Sequence, residues 1–97
     1  MNLQERIQLL THAIEHRHRL RIVYSGKERL GEPQCLGESK RGTVVLRVYQ
    51  IRGGSHPEAL LDVAKVTTLE LLDEHFDEPG PHYRRNDSAM RRIICQL

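Results

Sequence analysis

Between Ile14 and Leu20 the spacing of apolar residues changes from a helical period to a period of two, dividing the chain into a short helix and a long strand-forming stretch. Before the change, Leu3, Ile7, Leu10 and Ile14 form one stripe, with Glu5, Gln8, Thr11 and Glu15 mostly on the other side. Asn2 stands where an N-cap belongs, which predicts a helix over about residues 2–16. The run His16-Arg17-His18-Arg19 falls at its end, where the helix dipole favours cations.

After the change, Leu20, Ile22 and Tyr24 share one face of a strand over residues 19–24, and Ser25-Gly26 supplies a tight turn. The returning strand, about residues 29–36, contains Gly31 and Pro33. Proline cannot donate to a ladder, so this strand is expected to be bulged or to lie at an edge. A polar turn over 38–42 ends in Gly42 and leads to residues 43–51, read as the centre of the sheet. There Val44, Leu46, Val48 and Gln50 share one face and Val45, Arg47, Tyr49 and Ile51 the other, so both faces must meet apolar groups.

Residues 52–58 read as a loop. In 59–72 helix and strand templates compete, and the β-branched Val66-Thr67-Thr68 favours two short strands with a kink. Pro79, Gly80 and Pro81 keep the connection over 73–83 irregular, with Phe76 anchoring it. Asn86 or Asp87 then caps a short closing helix carrying Met90, Ile93, Ile94 and Leu97 on one stripe. The expected fold is one mainly β (α+β) domain over residues 1–97. It comprises a small SH3-like or Sm-like β-barrel over about 19–72, an N-terminal helix and a short C-terminal helix.

Composition narrows the function classes. A chain of 97 residues supports one modest core. Lys and Arg outnumber Asp and Glu by only 15 to 13, so any anion site must be local rather than a property of the whole surface. Cys35 and Cys95 show neither metal-site spacing nor a secretory leader, which predicts reduced thiols and a cytoplasmic protein. No apolar run approaches the ~20 residues needed to cross a bilayer, so no membrane association is expected. Of six histidines, only His12 and His16 have i, i+4 spacing, too few for a zinc site. Neither a nucleophile elbow nor a Walker loop is present, and Glu28/Glu32 and Asp73/Glu74 read as solvated charges. No enzyme activity and no cofactor are therefore expected.

The stretch LRIVYSGKERLGEPQCLGESKRGTVVLRVYQIRGGS, followed by LLDVAKVTTLELLDEHF, resembles a WYL domain. The likeness rests on an aromatic-ended first strand, a hairpin, Arg29 followed four positions later by Pro33, a glycine turn and a hydrophobic strand. A final Lys65-Val66 segment then leads to Phe76. It covers roughly residues 7–76, and the tail PGPHYRRNDSAM is similar to that of short stand-alone members. Two features depart from the family: its Trp-Tyr-Leu tripeptide is Val44-Val45-Leu46 here, and its usual arginine before the last strand falls near Ala59. WYL domains mostly lie behind helix-turn-helix domains in bacterial transcription regulators, where the barrel is thought to sense a nucleic-acid or nucleotide ligand. The resemblance implies a ligand-sensing module of that kind, in a chain too short to hold a winged-helix reader as well.

The candidate site residues carry two readings each. Arg29 either clamps a phosphate or carboxylate with its planar fork, or pairs with Glu28, Glu32 or Asp62 for about 0–1 kcal/mol. Arg47 beside Tyr49 either holds a base or phosphate, or packs its stem under the ring. Gln50 and Ser55 flank Gly53-Gly54, whose N–H groups either approach an anion or simply turn the chain. Tyr24 is a stacking or packing ring, and Lys65 a phosphate contact implied by the resemblance. Arg29 and Arg47 are expected on adjacent parts of one curved sheet, sharing a ligand. The alternative is an interaction module, in which a barrel edge and a C-terminal helix bury Met90, Ile94 and Leu97 against a second copy or a regulatory protein.

Overall fold

The computed structural model describes residues 1–97 as one N-terminal helix and a six-stranded antiparallel sheet. Helix α1, Leu3–His16, begins with a reciprocal capping box: the Asn2 side chain accepts from Glu5 N at 2.8 Å, and Asn2 N donates to Glu5 Oε1 at 3.0 Å. It ends where Arg17 turns left-handed at φ 56°. The buried stripe is Leu10, Ala13 and Ile14, while Leu3, expected on it, is exposed.

Strand β1, His18–Tyr24, joins β2, Lys27–Ser39, through Ser25-Gly26. Both turn residues have positive φ (52° and 73°), and Tyr24 pairs with Lys27, which is the geometry of a two-residue primed hairpin. Strand β2 is longer than expected and is not an edge. It pairs with β1 and with β3, Val44–Arg52, and it is buried continuously from Gly31 to Gly37. The other expectation for Pro33 holds, because the β2–β3 register shifts between Pro33 and Cys35. The centre of the sheet is thus β2, not the more apolar β3. Ladder position depends on how many partners a strand has, and 13 residues bent at a bulge can serve three.

Strand β4, Glu58–Asp62, and β5, Thr68–His75, are the two short strands expected in this region, and a 3₁₀ turn over Val63–Lys65 is the kink between them. The Asp62 carboxylate accepts from Ala64 N, and Arg6 of α1 donates through Nη1 to Val63 O (2.8 Å) and Val66 O (2.6 Å). The sheet order is β4-β3-β2-β1-β5, and the two end strands do not hydrogen-bond each other.

The expected C-terminal helix is not formed. Met90–Gln96 is a sixth strand, β6, running antiparallel to residues 35–39 of β2. The reason lies in β2: β1 covers its edge only through residues 27–31, leaving buried N–H and C=O groups beyond the bulge that need a ladder partner. The consecutive Ile93-Ile94 suit a strand better than a helix. Phe76 is buried, and its N–H bonds Arg17 O at 3.0 Å.

The main core combines α1 with Leu20, Ile22, Leu36, Leu46, Val48, Leu61, Val63 and Val66. Cys35, Val45 and Met90 form a smaller cluster on the opposite face of β2–β3, under the connection from β5 to β6. Close approach of β6 leaves no room for a side chain at Gly37, where a Cβ would collide with Arg92 O and Met90 Sδ. Gly37→Ala is expected to lower stability by about 1–3 kcal/mol. The check is urea unfolding, together with loss of amide-exchange protection concentrated in β6.

Candidate functional site

Tyr24 is the hub of the most polar arrangement on the core side of the sheet. Its ring lies 5.3 Å from Arg29 Cζ, and its carbonyl accepts from Arg29 Nη2 at 3.3 Å. Its hydroxyl accepts from Asp62 N of β4 at 3.2 Å. Arg29 Nη1 donates to Gln50 Oε1 at 2.7 Å. Gln50 is buried, and its amide also donates to His56 O while its backbone N–H bonds Pro57 O at 2.7 Å. Gln50 therefore holds the 53–57 loop against the arginine. At Gly54, φ is 78° and a Cβ would strike the Gln50 amide, which is why a glycine is needed there.

Arg29 is partly buried, and its Nε is enclosed without a partner. No carboxylate pairs with it, whereas Arg19 and Arg21 each meet two and Arg47 meets one. The expected surface pairs with Glu28, Glu32 and Asp62 are not made: Glu32 bonds Arg19 at 2.9 Å, Glu28 bonds Arg21, and Asp62 caps Ala64. Tyr24 also lines a groove of about 410 Å³ together with Lys40, Arg41 and Lys65, in which Asp62 is the one acidic residue.

Arg47 and Tyr49 are not part of this arrangement. The alternation of β3 turns them to the face opposite Leu46, Val48 and Gln50, and Arg47 pairs with Cys35 along the ladder while Arg52 pairs with Leu30. Arg47 Nε donates to Asp87 Oδ2 at 2.8 Å and Nη2 to Oδ1 at 3.4 Å. The ring of Tyr49 lies under Gly80. The expected sharing of one ligand by Arg29 and Arg47 is thus corrected by sheet geometry: residues of opposite parity on a strand face opposite ways. Ser55 is exposed in its loop.

Several residues escaped the sequence reading. Lys40 and Arg41 belong to a polar turn that only the bend of β2 brings to Tyr24. Buried Gln34 accepts from Gly80 N at 2.9 Å through its side chain, and its carbonyl takes Leu97 N at 3.1 Å, tying down the whole C-terminal layer. The β1–β5 register sets His18 opposite His75, extending the His12–His16 pair to a row of four rings with centroids 4.1–5.5 Å apart. No group of three His, Cys, Asp or Glu side chains is placed to hold a metal ion.

On the second face, Cys35, Arg47 and Glu58 floor a cavity of about 350 Å³, roofed by residues 82–84, Asp87 and Ser88. Burial pushes the Asp87 carboxyl up, but the Arg47 bond, the Ala89 N–H and the Arg47 charge outweigh it, so the group sits below its ordinary value. Burial, with the Asp87 charge, pushes the Cys35 thiol up to about 11. Cys35 and Cys95 are both free thiols. No helix is long and apolar enough to cross a membrane.

No protein-family model matches the chain, and no curated protein or solved structure does.

The depressed Asp87 carboxyl contributes stability that is fully present above the unfolded carboxylate value, ~3.9, and is lost as the pH falls through the lower folded value. Asp87→Asn is expected to cost about 1–3 kcal/mol at pH 7. Urea titrations of both proteins should show the difference shrinking below about pH 4. A thiol raised from 9.0 to about 11 holds about a hundredfold less thiolate at pH 8. Cys35 should therefore react with a disulfide reagent at least that much more slowly in the folded protein than in urea.

Proposed function

We propose that the chain is a WYL-like ligand-sensing module that binds nucleic acid or a nucleotide-like anion beside Tyr24, in the service of transcription regulation. The observation that carries this reading is Arg29: a partly buried guanidinium whose charge is answered by an aromatic ring and two neutral oxygens, with no carboxylate. Burying a cation without an opposite charge is costly, and an incoming phosphate would supply that charge. Lys40, Arg41 and Lys65 in the adjoining groove extend the positive region along the path a phosphodiester backbone would take, while the Tyr24 ring offers a surface for a base. Arg47 and Tyr49 have no part in it.

The SH3-like or Sm-like barrel belongs to the same proposal. It is supported by the 3₁₀ turn that carries the chain from β4 to β5, by the Tyr24–Asp62 bond, and by the bond from Thr67 N to Val23 O at 2.9 Å. These links bring the two end strands toward each other without a shared ladder. The rival interaction module keeps a sheet edge but not its apolar stripe: Met90 is buried, and Ile94 and Leu97 pack against the protein's own core.

The test is fluorescence anisotropy with short labelled single-stranded DNA and RNA, alongside calorimetry with nucleoside triphosphates. Arg29→Ala should weaken binding by about 5- to 150-fold, corresponding to ~1–3 kcal/mol. The logarithm of affinity should fall with log salt by about 0.7 per phosphate contacted on a single strand. Lys27→Ala, on the hairpin turn, and Arg47→Ala, on the other face, should leave affinity unchanged. Binding by none of these ligands, or equal binding by Arg29→Ala, would remove the proposal.

A further inference from the structure

The cavity on the second face has no part in the site around Tyr24, and its chemistry is unlike that groove's. Its roof is pinned from two sides. Gly80 N donates to the buried Gln34 side chain, and Asn86 exchanges two hydrogen bonds with Gln96 of β6, at 2.8 and 3.0 Å. The space is therefore preformed by the fold rather than left beneath a loose loop.

Four charged side chains line it, and two of them cancel. Arg47 and Asp87 hold each other through two bonds. The remaining two are opposite in sign and have no partner. Glu58 Oε1 is fully enclosed yet accepts no hydrogen bond, although Glu58 lies diagonally across the β3–β4 ladder from Arg47. Arg84, in the roof, is exposed and enters no ion pair. A carboxylate with one oxygen enclosed and no donor on either is costly, and the group that best offsets it carries positive charge and reaches the oxygen left open. The complement of a lone carboxylate in the floor and a lone guanidinium at the rim is a small dipolar molecule, cationic at one end and anionic at the other. A lining that is largely polar argues against an apolar guest, and a volume of about 350 Å³ is ample for a compact one.

We propose that this cavity binds a small zwitterion of the free α-amino-acid class, its ammonium received by Glu58 and its carboxylate by Arg84. The ammonium donates to Oε2, the Glu58 oxygen that is not enclosed, and so answers the charge of a carboxylate that meets no donor within the protein. The carboxylate then takes the guanidinium fork, which suits it bidentately. Because Arg47–Asp87 forms one wall, an occupied cavity would also brace the layer that covers Val45, Met90 and Cys35.

The experiment is a two-dimensional NMR titration of the labelled full chain with each free amino acid, following the backbone amides of Glu58, Arg84 and Ser88. Each ligand that binds is repeated as its N-acetyl and its carboxamide derivative. The expected result is saturable shifts for at least one amino acid below about 10 mM, an affinity better than about −2.7 kcal/mol. N-acetylation should weaken that binding at least tenfold, and Glu58→Gln, a near-isosteric change, should do the same. Arg84→Ala, at an exposed position, should weaken the free acid while leaving the carboxamide unaffected. Absence of any saturable shift, or binding indifferent to both N-acetylation and Glu58→Gln, would overturn the proposal and leave the cavity a hydrated gap. Oligonucleotide binding of Glu58→Gln should match the parent's, so the outcome here is separable from that at Arg29.

Discussion

The unbroken burial of the β2 backbone from Gly31 to Gly37 is the constraint on which the rest of the structure rests. Each peptide group there must find a partner inside the protein, because water cannot supply one. On one edge β3 runs the full length and meets the demand, with register shifts at Leu30/Gly31 and Pro33/Cys35. On the other edge β1 leaves after Gly31, because its hairpin with Lys27 fixes where the pairing begins. The unmet part of that edge recruits β6, which explains how a segment with a helical apolar stripe became a strand. Propensity in a seven-residue segment amounts to tenths of a kcal/mol per residue, whereas each buried peptide group left unpaired costs about 1–3 kcal/mol.

Recruiting β6 has a second consequence. To return to β2, the chain after His75 must cross the face of β2–β3 that α1 does not cover, and residues 77–89 become a layer over Cys35, Val45 and Tyr49. Gln34 fastens that layer through its side chain and the C-terminus through its carbonyl. The sheet is thereby covered on both faces, with opposite electrostatic solutions. On the outer face the added layer brings Asp87, and Arg47 is neutralised within the fold. On the core side no acidic residue reaches Arg29, and the cation is left to a ring and an amide.

Residue order alone made legible the elements whose signals are local. The N-terminal helix follows from Asn2 and the stripe through Ile14, the first hairpin from Ser25-Gly26, and the two-faced β3 from its alternation. The interruption between β4 and β5 follows from the β-branched residues after Lys65. What was not legible depends on partners remote in sequence. Nothing near Met90 indicates that an edge of β2 is open, and nothing near Arg6 indicates that it will satisfy the carbonyls of Val63 and Val66, 57 and 60 positions away. For the candidate site, Tyr24, Arg29 and Gln50 were identified and are together. Arg47 and Tyr49 were identified and are elsewhere, since alternation within β3 separates them from Gln50 but cannot say which face Arg29 joins.

That last ambiguity is resolved by the bulges. Along a regular strand, Arg29 and Cys35 would differ by an even number of positions and share a face, placing Arg29 on the same face as Arg47. The register shift at Leu30/Gly31 puts its extra residue, Ile51, in β3, whereas the one at Pro33/Cys35 inserts Gln34 in β2 and so reverses, once, the parity of everything beyond it in that strand. Residues before the bulges turn Arg29 inward beside Tyr24, and residues after them set Cys35 with Val45 and Met90 on the outer face. Pro33 withholds a ladder donor where the pairing slips, and Gly31 leaves space that Val48 Cγ2 fills. The spacing from Arg29 through Gly31 to Pro33 is therefore a steric device: it lets one strand hold an arginine at the end of the core and a cysteine on the opposite face.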